Sequence, residues 1–365
     1  MAVSSKGVIS VVTTRVLLAV FLLQSVCDFK LPTVQADLEV GYYENTGLCS
    51  GAEAVVAAVV SAAFDADATV TASLIRLQFH DCFVQGCDAS IMENGTFTER
   101  TSPPDLTVRG YNVIDAAKAA LEEFCPGSVS CADIITIAAR DSIAILGGPT
   151  FPVLTGRLDG FPRGPDSPDP SDFLPGPNFT IPMATGAFAQ KNLSQVDMVN
   201  LLGAHTVGVA QCRFFVDRLY NFLGTGRPDP DLDPTYGDYL RKICPDTTNS
   251  SDPSLLTNVA LDFKSEFKWD LSYFTNVKQR RGLLRIDDEL GTNTATSPHF
   301  TQIGSSNLLF NKEFIDSLTK MSQIGVITDP ALGNIREVCE IAIAPETISM
   351  SFQLEEEVLE AHSAF

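Results

Sequence analysis

Basic residues are scarce in this sequence, and their scarcity limits what the protein can bind. The 365 residues contain 25 Lys and Arg against 45 Asp and Glu, which gives a formal net charge of −20. Neutralising the phosphates of a nucleic acid requires clustered cations, so this charge balance argues against nucleic-acid binding. An anionic membrane surface would repel the chain for the same reason. We therefore expect neither partner.

Long hydrophobic runs are also lacking, since a helix that crosses a bilayer needs about 20 apolar residues. The apolar run at residues 16–26 has 11 residues, follows Lys6 and Arg15, and precedes small residues near Ala36. This pattern is typical of a cleaved secretory signal peptide. We predict that residues 1–36 are removed and that the protein is secreted. A buried N-terminal helix is the alternative.

Neither zinc-finger spacing nor an EF-hand loop is present, although the chain has nine cysteines. Cys27 falls in the predicted signal peptide, which leaves eight cysteines, an even number that predicts disulfides in an oxidising compartment. Only Cys82 with Cys87 is indicated by a short loop, and the other pairings stay open. Four sequons predict surface asparagines that can carry glycans, namely Asn94, Asn178, Asn192 and Asn249.

Strand-like alternation is rare, and helical periodicity predicts a mainly α protein. The predicted helices cover residues 52–64, 68–83, 111–124, 131–146, 194–202, 214–223 and 313–324. Pro, Gly and Asp dominate residues 158–182, which predicts a long irregular connection. We expect one domain over residues 37–340. Residues 341–365 form an acidic tail, either a vacuolar sorting propeptide or an unimportant extension.

Histidine is limited to four residues, and two of them have unusual neighbours. Arg76 and His80 are four residues apart on a predicted helix, so they share one face. This pairing suits acid–base chemistry with charge stabilisation, although a surface Arg beside a half-buried His is the alternative. His205 lies among small residues that would let a large flat ligand approach the backbone, although a core histidine is again the alternative.

Oxygen-bearing side chains cluster directly after His80. Asp81, Asp88 and Ser90 flank the bend between two cysteines. Carboxylates, a hydroxyl and turn carbonyls that converge in this way are typical of a hard-cation site of the kind Ca²⁺ prefers.

Three motifs, taken together, resemble those of the secreted plant (class III) haem peroxidases. They are RLQFHDCFVQGCDAS at residues 76–90, VSCADII at residues 129–135 and LGAHTVG at residues 202–208. The resemblance extends from about residue 40 to residue 339. It implies a mainly α, two-lobed fold with haem b between the lobes, two Ca²⁺ ions and a monomer.

The same resemblance implies an enzyme that reduces hydrogen peroxide to water while it oxidises small phenolic donors by one electron at a time. Its physiological roles would lie in hydrogen peroxide catabolism, the response to oxidative stress and the metabolism of lignin or other cell-wall phenolics. The implied location is the extracellular space or cell wall, or the vacuole if the tail is a sorting signal.

Individual site residues also follow from the resemblance. His205 resembles the axial ligand of the haem iron, and Asp287 the carboxylate that accepts from its other ring nitrogen, with Asp288 as the position most easily confused with it. His80 resembles the distal acid–base residue, and Arg76 the residue that stabilises charge as the peroxide O–O bond breaks.

Further positions correspond to the walls and metal sites of the family. Phe79 would line the haem pocket, and Pro175 would lie at the donor site. The first calcium would be held by Asp81, Val84, Gly86, Asp88 and Ser90, and the second by Thr206, Asp262, Ser265 and Asp270. The implied disulfides are Cys49–Cys125, Cys82–Cys87, Cys131–Cys339 and Cys212–Cys244.

The sequence departs from the family pattern at the residue that orients the distal histidine. The family usually has an Asn there, whereas residues 102–110 contain none, and Asp105 is the candidate substitute. If Asp105 does replace it, the carboxylate should raise the basicity of His80. Phe151 and Leu158 replace a family Trp and Arg, and Ser265 replaces a commoner Thr.

Two other functions remain open from the sequence alone. A haem- and calcium-binding wall protein whose catalysis has decayed would explain the missing Asn. A secreted, disulfide-stapled adhesion module would instead have β-rich patterning and no haem.

Overall fold

The computed structural model describes residues 38–247 and 249–343. The predicted signal peptide and most of the predicted acidic tail lie outside these residues. The α-helices of the described residues are α1 Tyr42–Thr46, α2 Ala52–Ala66, α3 Val70–Val84, α4 Tyr111–Phe124, α5 Cys131–Ile145, α6 Ile181–Gln190, α7 Gln195–Leu202, α8 Val216–Tyr220, α9 Pro234–Arg241, α10 Ser272–Lys278, α11 Arg285–Thr292, α12 Ser297–Ile303 and α13 Asn307–Met321.

Strands are few and short, which confirms the mainly α prediction. Strand β1 (Glu39–Val40) pairs antiparallel with β2 (Leu154–Thr155), and β3 (Val209–Gln211) pairs antiparallel with β4 (Asn258–Ala260). Each pair forms its own two-stranded sheet. None of the helices in the described ranges is long and apolar enough to cross a membrane.

The helices with the clearest periodicity begin and end close to their predicted bounds. Helix α4 matches the prediction at both ends, and α2, α3 and α5 differ from theirs by at most two residues. Helix α7 begins with the predicted capping box, in which Ser194 and Asp197 each accept a hydrogen bond from the other's backbone N–H. Local sequence signals are sufficient for these elements.

The prediction of one helix over residues 214–223 is wrong. Only α8 is α-helical there, and Leu223 adopts a left-handed conformation with φ of 52°. The reason is tertiary, because the guanidinium of Arg218 is buried and donates to both Asp229 and Asp288. Such contacts fix the chain direction more strongly than helix propensity does.

Helix α13 begins six residues before its predicted start. The side chain of Ser306 accepts a hydrogen bond from the backbone N–H of Leu309, which is a standard N-cap. Its buried face packs against α7.

The helix that carries Arg76 and His80 lies at the centre of one helical cluster. Helix α3 packs along α5, and α2 packs against both α4 and α5. Eleven of the fifteen residues of α3 are buried, so its position is defined by apolar contacts on most sides. His80 is therefore carried by a helix that its surroundings hold firmly in place.

A buried ion pair fixes the strand after α5. Asp133 accepts from Arg157 at 2.8 Å, from the hydroxyl of Tyr43 at 2.6 Å and from the backbone N–H of Gly156 at 2.6 Å. Both charged side chains are fully buried. Such a pair is strongly destabilised when one partner is removed, because the other charge is left without compensation.

Four disulfides join the described residues in the pairs that the resemblance implied. They are Cys49–Cys125, Cys82–Cys87, Cys131–Cys339 and Cys212–Cys244. The Cys131–Cys339 bond joins the start of α5 to a segment 208 residues away. Long closed loops of this kind restrict the unfolded chain most, at roughly 2–4 kcal/mol per bond.

The predicted irregular connection is confirmed, and we call residues 158–180 the connecting segment. Its only helical turn is the 3-10 helix Pro170–Asp172. Near its middle, Asp169 accepts from the hydroxyl of Ser102 at 2.7 Å. Just past its end, the backbone N–H of Ile181 donates to Glu289 of α11 at 3.0 Å. These two hydrogen bonds fix the later part of the segment.

Candidate active site

Arg76 and His80 lie on the same face of α3, as their spacing predicts. The Nε atom of Arg76 donates to the Nε2 atom of His80 at 2.9 Å. The rest of the guanidinium donates to the carbonyl of Pro104 at 2.9 Å and to the hydroxyl of Thr107 at 3.0 Å. The arginine is thus held between its own helix and residues 104–107.

Asp105 lies beside His80, where the family usually has the orienting Asn that this sequence lacks. Its Oδ1 atom lies 2.5 Å from Nδ1 of His80, and its side chain is fully buried. A carboxylate can only accept, so the His80 proton lies on Nδ1 and the lone pair on Nε2. Arg76 donates to that same Nε2, which agrees with this tautomer. His80 is therefore arranged to accept a proton at Nε2.

Burial and, to a smaller extent, the positive charge of Arg76 lower the pKa of His80 to about 4. Asp105 opposes both effects through its hydrogen bond and its charge, as the sequence predicts, but it is outweighed. The imidazole is accordingly neutral at neutral pH, which is the form that can act as a base.

The proximal group is built around His205, which follows α7 in the 3-10 helix Gly203–Thr206. Its Nδ1 atom lies 2.7 Å from Oδ1 of Asp287, a fully buried carboxylate of α11. Asp288, the position most easily confused with it, instead accepts from Arg218 at 2.6 Å. The structure therefore brings Asp287, and not Asp288, to His205.

The geometry of His205 fits the haem that the resemblance implies. Since Asp287 accepts the Nδ1 proton, the Nε2 atom carries the lone pair that a haem iron requires. The His205 side chain is 26% exposed although its partner is fully buried, so part of the ring is accessible. Nε2 has no hydrogen-bond partner among the residues that the structure describes.

The segment after His205 also approaches the helix that carries the distal group. Gly208 has φ of +94°, and a Cβ atom there would lie 3.1 Å from the Cβ of Ala72 on α3. Ala72 precedes Arg76 by one turn and therefore lies on the face that carries Arg76 and His80. Both histidine clusters consequently belong to neighbouring parts of the fold.

The side chains expected at the first calcium form a compact acidic group around Ser90. The hydroxyl of Ser90 donates to Glu99 at 3.0 Å, and Arg163 donates to that hydroxyl at 2.7 Å. Asp81 is buried, and its Oδ1 atom has no partner among the described residues. Burial raises the pKa of Asp81 well above its usual range, and the charge of Asp88 raises it further. A cation bound here would offset this cost.

The backbone carbonyls expected at the same calcium are less free. The carbonyl of Val84 accepts from the ammonium of Lys191 at 2.8 Å. Gly86 has φ of +152° and lies against the backbone of Gly325, so no larger residue fits there.

The residues expected at the second calcium converge next to His205. The hydroxyl of Ser265 lies 3.2 Å from Asp262 and 3.1 Å from Asp270, and the hydroxyl of Thr206 donates to the carbonyl of Asp270 at 2.9 Å. Two carboxylates and two hydroxyls are thus brought together. Within the described ranges, no three His, Cys, Asp or Glu side chains cluster as a metal site by themselves.

The other predicted site residues lie at accessible positions. Phe79 is half-buried on α3 and packs its ring against Phe83 and Phe188. Pro175 is half-buried in the connecting segment. The four sequon asparagines are all exposed, as predicted: Asn94, Asn178, Asn192 and Asn249.

No sequence pattern indicates the roles of Tyr273 and Arg163. Tyr273 donates to Asp287 at 2.9 Å, and Arg163 forms a buried ion pair with Glu99. Tyr273 lies 68 residues after His205, and Arg163 lies 64 residues after Glu99, so no local sequence pattern links either pair. Only the folded chain reveals them.

Comparison with known proteins identifies relatives over most of the chain. The peroxidase family model matches residues 56–306. Peroxidase 57 of Arabidopsis thaliana is 40% identical over 311 residues, which cover 85% of this chain and 94% of the relative. Peroxidase 39 of the same plant is 42% identical over 331 residues, or 88% and 97% of the two chains. Peroxidase N1 of Nicotiana tabacum is 42% identical over 305 residues, or 82% and 89%.

Proposed function

We infer the roles of individual side chains from the premise that this chain belongs to the class III plant peroxidases, haem enzymes that oxidise substrates with hydrogen peroxide. One observation carries the inference. Each of two histidines hydrogen-bonds through Nδ1 to a buried carboxylate, His80 to Asp105 and His205 to Asp287, which leaves both Nε2 atoms as acceptors.

We assign His205 as the residue that holds the haem iron through Nε2. Asp287 fixes the ring orientation and makes the imidazole more electron-rich by accepting the Nδ1 proton. When bound, the haem supplies the electrons that reduce hydrogen peroxide and later takes them back from the donor. The chain itself supplies the ligand and its partner.

We assign His80 and Arg76 to the proton movements on the opposite side. The Nε2 atom of His80 accepts a proton from one oxygen of hydrogen peroxide and delivers it to the other, which leaves as water. The guanidinium of Arg76 stabilises the negative charge that develops on that departing oxygen. Its bonds to residues 104–107 hold the charge in place before the reaction begins.

Calcium binding is part of the proposal. Asp81 follows His80 directly and Thr206 follows His205 directly, so each proposed ion would be tied to one histidine. The buried, unpartnered Oδ1 atom of Asp81 supports the first site, and the convergence of Asp262, Ser265 and Asp270 supports the second. Oxygen ligands of this kind match the preference of Ca²⁺.

We further propose that the protein is a secreted, glycosylated monomer that acts on small phenolic donors near Pro175. Four disulfides and exposed sequons support passage through an oxidising secretory route. The oxidation of cell-wall phenolics, the response to oxidative stress and removal of hydrogen peroxide are the proposed roles. Vacuolar delivery would follow if the tail is a sorting signal.

The assignment is tested on the purified, oxidised mature protein. We expect a Soret absorption band from one haem, and a phenol that is oxidised only when hydrogen peroxide is added. A protein without porphyrin, or one in which both imidazoles bind the iron, would contradict the assignment. Haem without turnover would favour the alternative of a haem- and calcium-binding wall protein whose catalysis has decayed. The contact of Asp105 with His80 argues against that alternative.

Replacing Asp105 with Asn is expected to move the acid limit of the peroxide reaction to lower pH. The negative charge of Asp105 raises the pKa of His80, whereas burial and Arg76 lower it to about 4. Without that charge His80 stays neutral, and thus active, at still lower pH. The rate constant at neutral pH falls by no more than about tenfold, because an amide oxygen still accepts the Nδ1 proton.

The measurement is the rate constant of the reaction with peroxide from pH 3 to pH 8. Closely spaced values are taken around pH 4, where protonation of His80 should lower the rate. Asp172→Asn is the matched control, since Asp172 is an exposed carboxylate on the connecting segment. An acid limit that moves upward in Asp105→Asn, or equally in both variants, would rule out the role of Asp105.

A further inference from the structure

The carboxylate that accepts from His205 has a second side-chain donor. The Oδ1 atom of Asp287 receives Nδ1 of His205 at 2.7 Å and the hydroxyl of Tyr273 at 2.9 Å. The other oxygen accepts from the backbone N–H of Leu284 at 3.2 Å. Two donors therefore share one oxygen atom, and one of them belongs to the proposed iron ligand.

Tyr273 is placed and held as a donor. It lies on α10, is buried, and packs edge-on against the rings of His205, Phe274 and Phe300. Burial raises the pKa of its hydroxyl well above the usual value, and the charge of Asp287 raises it further. The hydroxyl therefore keeps its proton and donates a hydrogen bond to Asp287.

Sharing an acceptor weakens each of the bonds that reach it. A hydrogen bond from Tyr273 draws electron density from Oδ1, so that oxygen attracts the Nδ1 proton of His205 less strongly. Because the proton then stays closer to Nδ1, the ring has less imidazolate character. The imidazole therefore donates less strongly to an iron atom. Weaker donation from the axial ligand raises the reduction potential of the iron.

We propose that Tyr273 is a positioning residue that limits how strongly Asp287 draws on His205, and that it thereby sets the reduction potential of the haem iron. The proposal rests on the proposed function, because it requires His205 as the iron ligand. It adds a third member to the His205–Asp287 pair.

The test compares Tyr273→Phe with the wild-type holoenzyme. Loss of the hydroxyl leaves the ring packing intact and gives Oδ1 to His205 alone. We expect the equilibrium constant for reducing ferric to ferrous iron to fall by about tenfold, which is about 59 mV for one electron. The iron–histidine stretching frequency of the ferrous protein, measured by resonance Raman spectroscopy, should rise.

Tyr236→Phe is the matched control. Tyr236 is also buried among aromatic rings, but its hydroxyl has no hydrogen-bond partner within the described part of the chain. A general effect of deleting a buried hydroxyl would appear in both variants. The proposal requires that the potential and the stretching frequency change only in Tyr273→Phe.

Asp287→Asn provides the second arm of the experiment. If Tyr273 acts through Asp287, then adding Tyr273→Phe to Asp287→Asn changes the potential by less than it does in the wild type. Equal changes in both backgrounds would overturn the proposal, as would an unchanged potential in Tyr273→Phe.

Replacement of Tyr273 by 3-fluorotyrosine keeps the test decisive if Tyr273→Phe does not fold. The more acidic hydroxyl donates more strongly to Asp287, so the potential should rise above the wild-type value. A fall would overturn the proposal. The wild-type spectrum distinguishes failure of the proposed function from failure of this proposal. If the wild-type protein shows no histidine-ligated haem, the proposed function is wrong, whatever the variants show.

Discussion

His80→Ala is expected to slow the reaction with hydrogen peroxide by about 10²–10⁴-fold, the range that a positioned acid–base group contributes. The Nε2 atom that moves the proton is removed, and no other described side chain bonds to Arg76 Nε in its place. Haem binding should persist, because His205 and Asp287 are on other elements of the fold.

Rapid mixing of the holoenzyme with peroxide, followed by absorbance, gives the rate constant directly. His299→Ala is the control, since His299 is a half-buried histidine whose Nε2 atom lies 2.7 Å from Asn200, outside both clusters. A rate in His80→Ala equal to that of the control would remove His80 from its assigned role. Loss of haem in His80→Ala would show that it has a structural part instead.

His205→Ala is expected to abolish the native ligation of the iron. No other histidine of residues 38–247 and 249–343 lies at that position, and Asp287 and Tyr273 can supply only oxygen. Haem affinity should fall by about 100-fold or more. Replacing a residue that only hydrogen-bonds to a metal ligand already lowers metal affinity by about 10–100-fold. Peroxidase activity should fall with it.

Two measurements check this outcome. The absorption and resonance Raman spectra report whether a histidine still binds the iron, and added imidazole tests for rescue, since it can enter the space left by the side chain. We expect imidazole to restore part of the native spectrum. A spectrum of His205→Ala identical to that of the wild type would refute the assignment of His205.

The distal cluster could be predicted from the sequence because most of it is local. Arg76 and His80 are separated by one helical turn, so their shared face follows from helix geometry alone. Asp105 could be named only as a candidate, since it lies 25 residues away and its contact depends on how the 3-10 helix Asp105–Thr107 docks on α3.

The proximal cluster depends on longer-range packing. His205 and Asp287 are 82 residues apart, and only the family resemblance favoured Asp287 over Asp288 before the structure placed Asp287 at His205. Asp288 is drawn away by Arg218, a contact with no local sequence signal. Tyr273 was missed for the same reason, because its role arises only when α10 packs beside α11.

The same limit applied to the secondary structure. Helices with strong periodicity, such as α4, were predicted to the residue, whereas short helices such as α10 and α11 were not predicted. Elements of seven or eight residues gain little from helix propensity and owe their stability to tertiary packing. The short helices were therefore beyond what the sequence pattern alone could indicate.

The connecting segment joins the surroundings of the two histidines. It is fixed by Asp169 to the loop that carries Asp105, and just past its end by Ile181 to the helix that carries Asp287. Between these anchors, residues 173–180 form neither helix nor strand. On the proposal that organic donors bind near Pro175, substitutions there would alter the donor site while both histidines keep their hydrogen bonds. Related genes can thus diverge in substrate preference while the two histidine–carboxylate pairs stay the same.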